Sequence, residues 1–88
     1  MAQPKNIATV IQRFQLRFEN ELHRCRSRAR ARKLERKWIK TDTGVIDGAL
    51  RNYRPLQNAM PGSKKVFKQY LTEHARHAVK AFEILFDK

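Results

Sequence analysis

Cysteine, glycine and long apolar runs are scarce in this sequence, and the scarcity of each excludes a particular structural feature. Cys25 is the single cysteine, which excludes an internal disulfide and is typical of a reducing compartment. Three glycines in 88 residues leave no glycine-rich loop that would cradle a phosphate. No apolar run approaches the roughly 18 residues of a membrane span, and the N-terminal stretch lacks the apolar core of a signal peptide. We therefore expect a cytoplasmic protein with no membrane partner.

Catalytic and metal-binding patterns are missing as well. The 8 acidic residues do not cluster into the paired carboxylates of acid–base catalysis. His23, His74 and His77 lack the usual zinc-ligand spacings, and there is no P-loop and no H-E-x-x-H. We therefore expect neither an enzyme, nor a metal site, nor a cofactor.

Positive charge, by contrast, is abundant and unevenly distributed. Twenty Lys and Arg against 8 Asp and Glu give a formal net charge of +12. Nine of these cations lie between residues 24 and 40, where Glu35 is the single acid. They are Arg24, Arg26, Arg28, Arg30, Arg32, Lys33, Arg36, Lys37 and Lys40. Because the arginine fork matches phosphate bidentately, such a segment is typical of a phosphate-binding surface.

The spacing of the apolar residues predicts an all-α protein. One stripe with helical period consists of Ile7, Ile11, Phe14, Phe18, Leu22, Cys25 and Ala29. We expect a long helix over 6–40 with a basic C-terminal half, a short helix over 43–54 and a C-terminal helix over 63–86. Residues 1–88 would form one domain, a small helical bundle in which the short helix joins two long amphipathic helices. The apolar stripes are wide for so short a chain, which favours a homodimer.

The apolar stripe changes side within the basic segment. Continued from Ala29, it would reach Lys33 and Arg36, so one straight helix cannot bury all of its apolar residues in one core. We expect either a bend near residues 28–32 or a second half that packs on another subunit, a partner protein or the C-terminal helix. The apolar residues on that opposite side are Ala31, Leu34 and Trp38.

On a continuous helix the arginines would form two ridges. Arg24, Arg28 and Arg32 would form the first, Arg26 and Arg30 the second, and the pair of ridges predicts contact with two strands of phosphate. Trp38 is a candidate for stacking on a base.

Three lysines open the C-terminal helix, where the helix dipole disfavours cations. Lys64, Lys65 and Lys68 therefore indicate either a second, smaller phosphate contact or a solvated lysine face. The sequence leaves both readings open.

Arg26 to Trp38 resembles, in composition, the arginine-rich helical motifs of RNA-binding peptides such as phage antitermination proteins. The resemblance covers thirteen residues and includes no invariant signature, so it identifies no family. The resemblance implies that this protein binds a nucleic acid, either RNA or DNA. Gln12 and Gln15 could read bases, but they are far from the cations in the sequence. This favours contact with the phosphate backbone of the nucleic acid.

Two functions therefore fit the sequence. The first is a small basic nucleic-acid-binding protein that grips the phosphate backbone through an arginine-rich helix. The alternative is an inhibitor or adaptor, of phage or mobile-element origin, that docks on an acidic or nucleic-acid-binding surface of a larger machine. In the alternative, Ala31, Leu34 and Trp38 would be the contact surface, because Trp and Arg dominate protein interfaces.

Overall fold

A computed structural model describes residues 7–86, and this part of the chain forms five α-helices and no β-strand. The helices are α1 (Ile7–His23), α2 (Arg28–Ile39), α3 (Val45–Asn52), α4 (Arg54–Gln57) and α5 (Pro61–Phe86). The prediction of an all-α protein is thereby confirmed. The expected start of the first helix at residue 6 lies outside the described residues.

The segment expected as one helix over 6–40 is two helices joined by a tight turn. Ser27 begins the second: its backbone is extended (φ −154°, ψ 159°), and its hydroxyl oxygen accepts a hydrogen bond from the Arg30 N–H at 3.1 Å. Such an N-cap is worth about 1 kcal/mol. Because the chain reverses at this turn, two stripes that a continuous helix would hold on opposite sides both face one core.

Helices α1 and α5 run in the same direction. The rings of Phe14 and Phe67 lie 5.2 Å apart, and further along both helices Glu19 Oε2 lies 3.1 Å from His74 Nε2. Since the paired positions rise together along the chain, the two helices are parallel.

Helix α2 runs antiparallel to both of them. Near its start Arg32 binds Glu83, close to the end of α5. Near its end the ring of Trp38 lies 5.2 Å from that of Phe18, which also packs against His74. The tight turn and the long α5 together create a three-helix arrangement.

The core consists of fifteen buried apolar side chains, and no polar or charged residue between 7 and 86 is buried with them. Phe14 lies where several helices meet, because its ring makes edge-to-face contacts with Trp38, Tyr53 and Phe67. Each such contact adds about 0.5–1.5 kcal/mol to the burial of its area. The two short helices add Ile46, Ala49 and Leu56 to the core.

Proline sets the starts of two helices. The short helix expected over 43–54 is α3, which ends at Asn52, and a further short helix, α4, follows it with Pro55 in its first turn. The C-terminal helix begins at Pro61, two residues before its expected start at residue 63. A proline is tolerated there because the first N–H groups of a helix have no intrahelical partner.

Two glycines near α3 form a matched pair for a stability test. A Cβ on Gly44 would collide with the carbonyl oxygen of Lys40 and lie 2.8 Å from the carbonyl oxygen of Trp38. A Cβ on Gly48 would meet nothing within 4 Å. The close approach of backbone at Gly44 therefore fixes how α3 follows α2.

We predict opposite effects for Gly44→Ala and Gly48→Ala. Gly44→Ala should lower the free energy of unfolding by about 1–3 kcal/mol, because the backbone atoms around it must move apart. Gly48→Ala should raise it by about 0.5–1 kcal/mol through helix propensity. Urea denaturation followed by circular dichroism measures both, and a Gly44→Ala variant as stable as the original chain would contradict the packing described here.

Candidate nucleic-acid interface

All nine cations of residues 24–40 are exposed. Arg24 and Arg26 lie in the turn between α1 and α2, and Lys40 is the C-cap of α2. The remaining six are on α2 itself: Arg28, Arg30, Arg32, Lys33, Arg36 and Lys37. The turn and α2 thus display a continuous basic segment to solvent.

The two ridges expected on a continuous helix do not form, because Arg24 and Arg26 are in the turn. With about 100° between successive residues, the cations of α2 follow two different rows on its flanks. The inner row, on the flank beside α5, is Arg28, Arg32 and Arg36. The outer row, on the other flank, is Arg30, Lys33, Lys37 and Lys40.

The inner row faces acids. Arg32 donates to the Glu83 carboxylate, and this hydrogen bond raises the pKa of the Arg32 guanidinium above its ordinary value. Arg32 and Arg36 line an open groove of about 1060 Å³ between α2 and α5. The same groove is lined by Glu35, Glu73 and Glu83 and by Arg76 and Lys80. The acids partly neutralise this side of α2.

The outer row has no such neutralisation. Within residues 7–86, no ion pair involves the side chains of Arg30, Lys33, Lys37 or Lys40. The row extends over about 15 Å of helix at 1.5 Å per residue. At its end is a shallow concavity of about 480 Å³, lined by Lys33, Arg36, Lys37, Ile39 and Lys40.

The cations at the two ends of α2 have opposite effects on the stability of this helix. Arg36 and Lys37, in the last turn, interact favourably with the helix dipole. The first turn contains no acid and begins with Arg28 and Arg30, where the dipole disfavours cations. These two arginines are therefore not explained by helix stability.

The apolar face of α2 is buried in the chain's own core. Ala31, Leu34 and Trp38 are 0%, 9% and 1% exposed. The Trp38 indole N–H donates to Glu21 Oε1 at 3.4 Å, and the Arg17 guanidinium lies 5.4 Å from the Trp38 ring. The sequence placed these three residues on a partner surface under the alternative function, with packing on the C-terminal helix as another option, and it made Trp38 a candidate for base stacking. They are core residues that attach α2 to α1 and α5.

The lysines at the start of α5 differ in their exposure and in their partners. Lys65 and Lys68 are exposed and Lys64 is half-buried. Lys68 Nζ lies 3.2 Å from Asp47 Oδ1, so the structure gives it an intramolecular partner.

Asp47 also stabilises the turn that follows α2. Its carboxylate accepts a hydrogen bond at 2.8 Å from the N–H of Asp42, a residue with left-handed backbone (φ 67°). Arg51 binds the Asp42 carbonyl oxygen. The Asp42 N–H above all, and then Lys68 and Arg51, hold the pKa of Asp47 below its ordinary value.

Between residues 7 and 86, no group of three or more His, Cys, Asp or Glu is placed to hold a metal ion. No helix in that range is both long and apolar enough to cross a membrane.

Comparison with known proteins gives no match: no family model matches this sequence, and no curated protein or solved structure matches this chain. The function is therefore inferred from the geometry of α2 and its surroundings.

The outer row and the Arg32–Glu83 contact were missed from the sequence. The outer row had a visible signal, since Arg30, Lys33, Lys37 and Lys40 follow the helical spacing 3, 4, 3 once a helix starts at Ser27. The contact between Arg32 and Glu83 had no such signal in the sequence, because the two residues are 51 positions apart.

We predict that Asp47→Asn reduces the acid sensitivity of the fold. A lowered carboxyl pKa contributes stability that is present above the pKa of the unfolded chain, about 3.9, and is lost as the pH falls through the folded pKa. Asp47→Asn should cost about 1 kcal/mol at pH 7 and progressively less below about pH 4. Urea midpoints of both proteins across this range measure it, and an unchanged difference at all pH values would contradict the assignment.

Proposed function

We propose that this protein binds the phosphate backbone of nucleic acid, without catalysis, through α2 and the turn before it. One observation carries the proposal: α2 buries its apolar stripe, while the rest of its surface, with the Lys40 cap, displays seven cations beside one acid, Glu35. An ordinary solvated helix mixes both signs and pairs them along its surface.

Binding of a polyanion offsets the electrostatic repulsion among the cations of α2. Like charges at helical spacings of three and four residues destabilise a helix by a few tenths of a kcal/mol each. A phosphate backbone supplies closely spaced negative charge, and its binding releases condensed counterions. Phosphate contacts also need no base-reading side chain, and α2 contains no Asn or Gln.

The protein-modulator alternative is less well supported. Its apolar anchor was to be Leu34 and Trp38, which are buried in the chain's own core. Without that anchor, an acidic protein surface would have to bind through charges alone, and exposed ion pairs contribute little.

The homodimer stays a prediction. Three apolar residues at the end of α5 support it, because Ile84, Leu85 and Phe86 are 62%, 69% and 48% exposed. Sedimentation equilibrium of the free protein measures the mass directly.

We predict that removing positive charge from the outer row weakens nucleic-acid binding and makes that binding less dependent on salt concentration. The test variant is Lys33→Gln/Lys37→Gln, and the matched control is Arg13→Gln/Arg54→Gln. The control also removes two charges from exposed positions, but on α1 and α4. Fluorescence anisotropy of labelled nucleic acid at a series of salt concentrations gives the affinity and the slope of log K against log salt.

The test variant should bind about tenfold more weakly at low salt, and its slope should fall by about two, one for each lost phosphate contact. The control should change both quantities only slightly. If the two variants lose affinity equally, the net charge of +12 attracts any polyanion and α2 is not a binding surface.

A further inference from the structure

The aromatic side chains indicate which form of nucleic acid α2 accepts. Proteins that bind single strands stack exposed bases on aromatic rings. Trp38 is the single aromatic residue between Arg24 and Lys40, and it is 1% exposed. Residues 24–40 therefore offer no exposed ring on which an unpaired base would stack.

The exposed tyrosine and phenylalanine rings of residues 7–86 lie away from the outer row, and the exposed ring of His77 lies in the groove between α2 and α5. Tyr70 is 54% exposed and lines a groove with Gln15 of α1, on a different side of α5 from α2. Phe86 is 48% exposed, but its ring already stacks on that of Phe82 at a centroid distance of 4.9 Å. Neither ring belongs to the outer row.

The two cationic rows suit a ligand with phosphates on two sides. Around α2 the inner and outer rows are separated by about 120° on the side away from the core, and Ala29 lies between them. Arg36 lies within about 20° of Ala29 and lines both the groove beside α5 and the concavity of the outer row, so the outward edge of α2 is basic as well as its flanks. A single strand presents one line of phosphates, whereas a double helix presents two.

We infer that α2 lies in the major groove of double-helical DNA, with its two rows directed towards the phosphates of opposite strands. A helix with its side chains is about 10–12 Å across, and the major groove of B-form DNA is about 12 Å wide. The major groove of A-form RNA is too narrow and deep for side chains to enter. The inference rests on the proposed function and specifies its ligand.

The contact is mainly with the phosphate backbone rather than with base edges. With Ala29 at the outward edge and no Asn or Gln on α2, the helix has no bidentate partner for adenine. Arg28, Arg30 and Arg32 lie on the flanks, where phosphates are, and Arg36 lies close to the outward edge beside Ala29. Glu83 competes for Arg32 of the inner row, so binding replaces one intramolecular contact.

The experiment compares four labelled ligands of one sequence: single-stranded DNA, duplex DNA, single-stranded RNA and duplex RNA. The proteins are the original chain, the inner-row variant Arg32→Gln/Arg36→Gln, the outer-row variant Lys33→Gln/Lys37→Gln and the control Arg13→Gln/Arg54→Gln. Glutamine keeps helix propensity while removing the charge, and circular dichroism confirms folding before each titration.

We expect duplex DNA to bind about tenfold more tightly than the other three ligands at near-physiological salt. Both row variants should lower the salt slope for duplex DNA by about two, since each row contacts one strand. This second readout separates two-sided binding from the higher charge density of a duplex.

Three results would overturn the inference while leaving the proposed function intact. They are equal or tighter binding of a single strand, equal or tighter binding of duplex RNA, and an unchanged slope for the inner-row variant. Failure to bind any of the four ligands would remove the proposed function as well.

Discussion

The burial of Ala31, Leu34 and Trp38 against α1 and α5 is the interaction on which the rest of the structure depends. Helix α2 is twelve residues long, a length at which an isolated helix is marginal in water. Packing of this apolar face fixes both its position and its rotation. Every cation of α2 is directed outward because these three side chains are directed inward.

Packing has to offset an unfavourable pattern of charge. Burying a large side chain such as Leu34 contributes about 1.5–3 kcal/mol, and Trp38 covers still more area. Each like-charge pair on α2 costs only a few tenths of a kcal/mol. The packing therefore outweighs the repulsion, and the folded chain holds a concentrated positive surface in place before any ligand arrives. A preorganised surface binds without the entropy cost of ordering a flexible segment.

The sequence predicted the class of fold and the location of the charge but not the path of the chain. The period of the apolar stripes led to an all-α fold because that period reflects which side chains must be buried. It also showed that the stripe changes side near Ala29, but both a bend and a second packing surface satisfied that observation. Ser27, a residue type that often begins helices, was the local signal for a new helix start. It was outweighed by the unbroken run of good helix formers around it.

The candidate site was predictable only in part, for a related reason. Exposure of the cations follows from their charge, whereas their arrangement in rows follows from where α2 begins. Trp38 looked suited to base stacking because it lies at the end of a basic run. Burying so large an apolar ring stabilises the fold, however, whereas leaving it exposed to water would not. The neutralisation of Arg32 by Glu83 depends on the antiparallel packing of α2 and α5, which is a property of the tertiary structure.

The central claim is that the basic helix is ordered by packing in the free protein, and amide hydrogen exchange tests it most directly. In the absence of nucleic acid, the amides of Leu34 to Trp38 should be protected to a similar degree as those around Leu71 in α5, because both segments line one core. Exchange of the α2 amides at the rate of an unfolded chain, with protection only after a nucleic acid is added, would contradict the account. It would mean that the arginine-rich segment folds on its ligand.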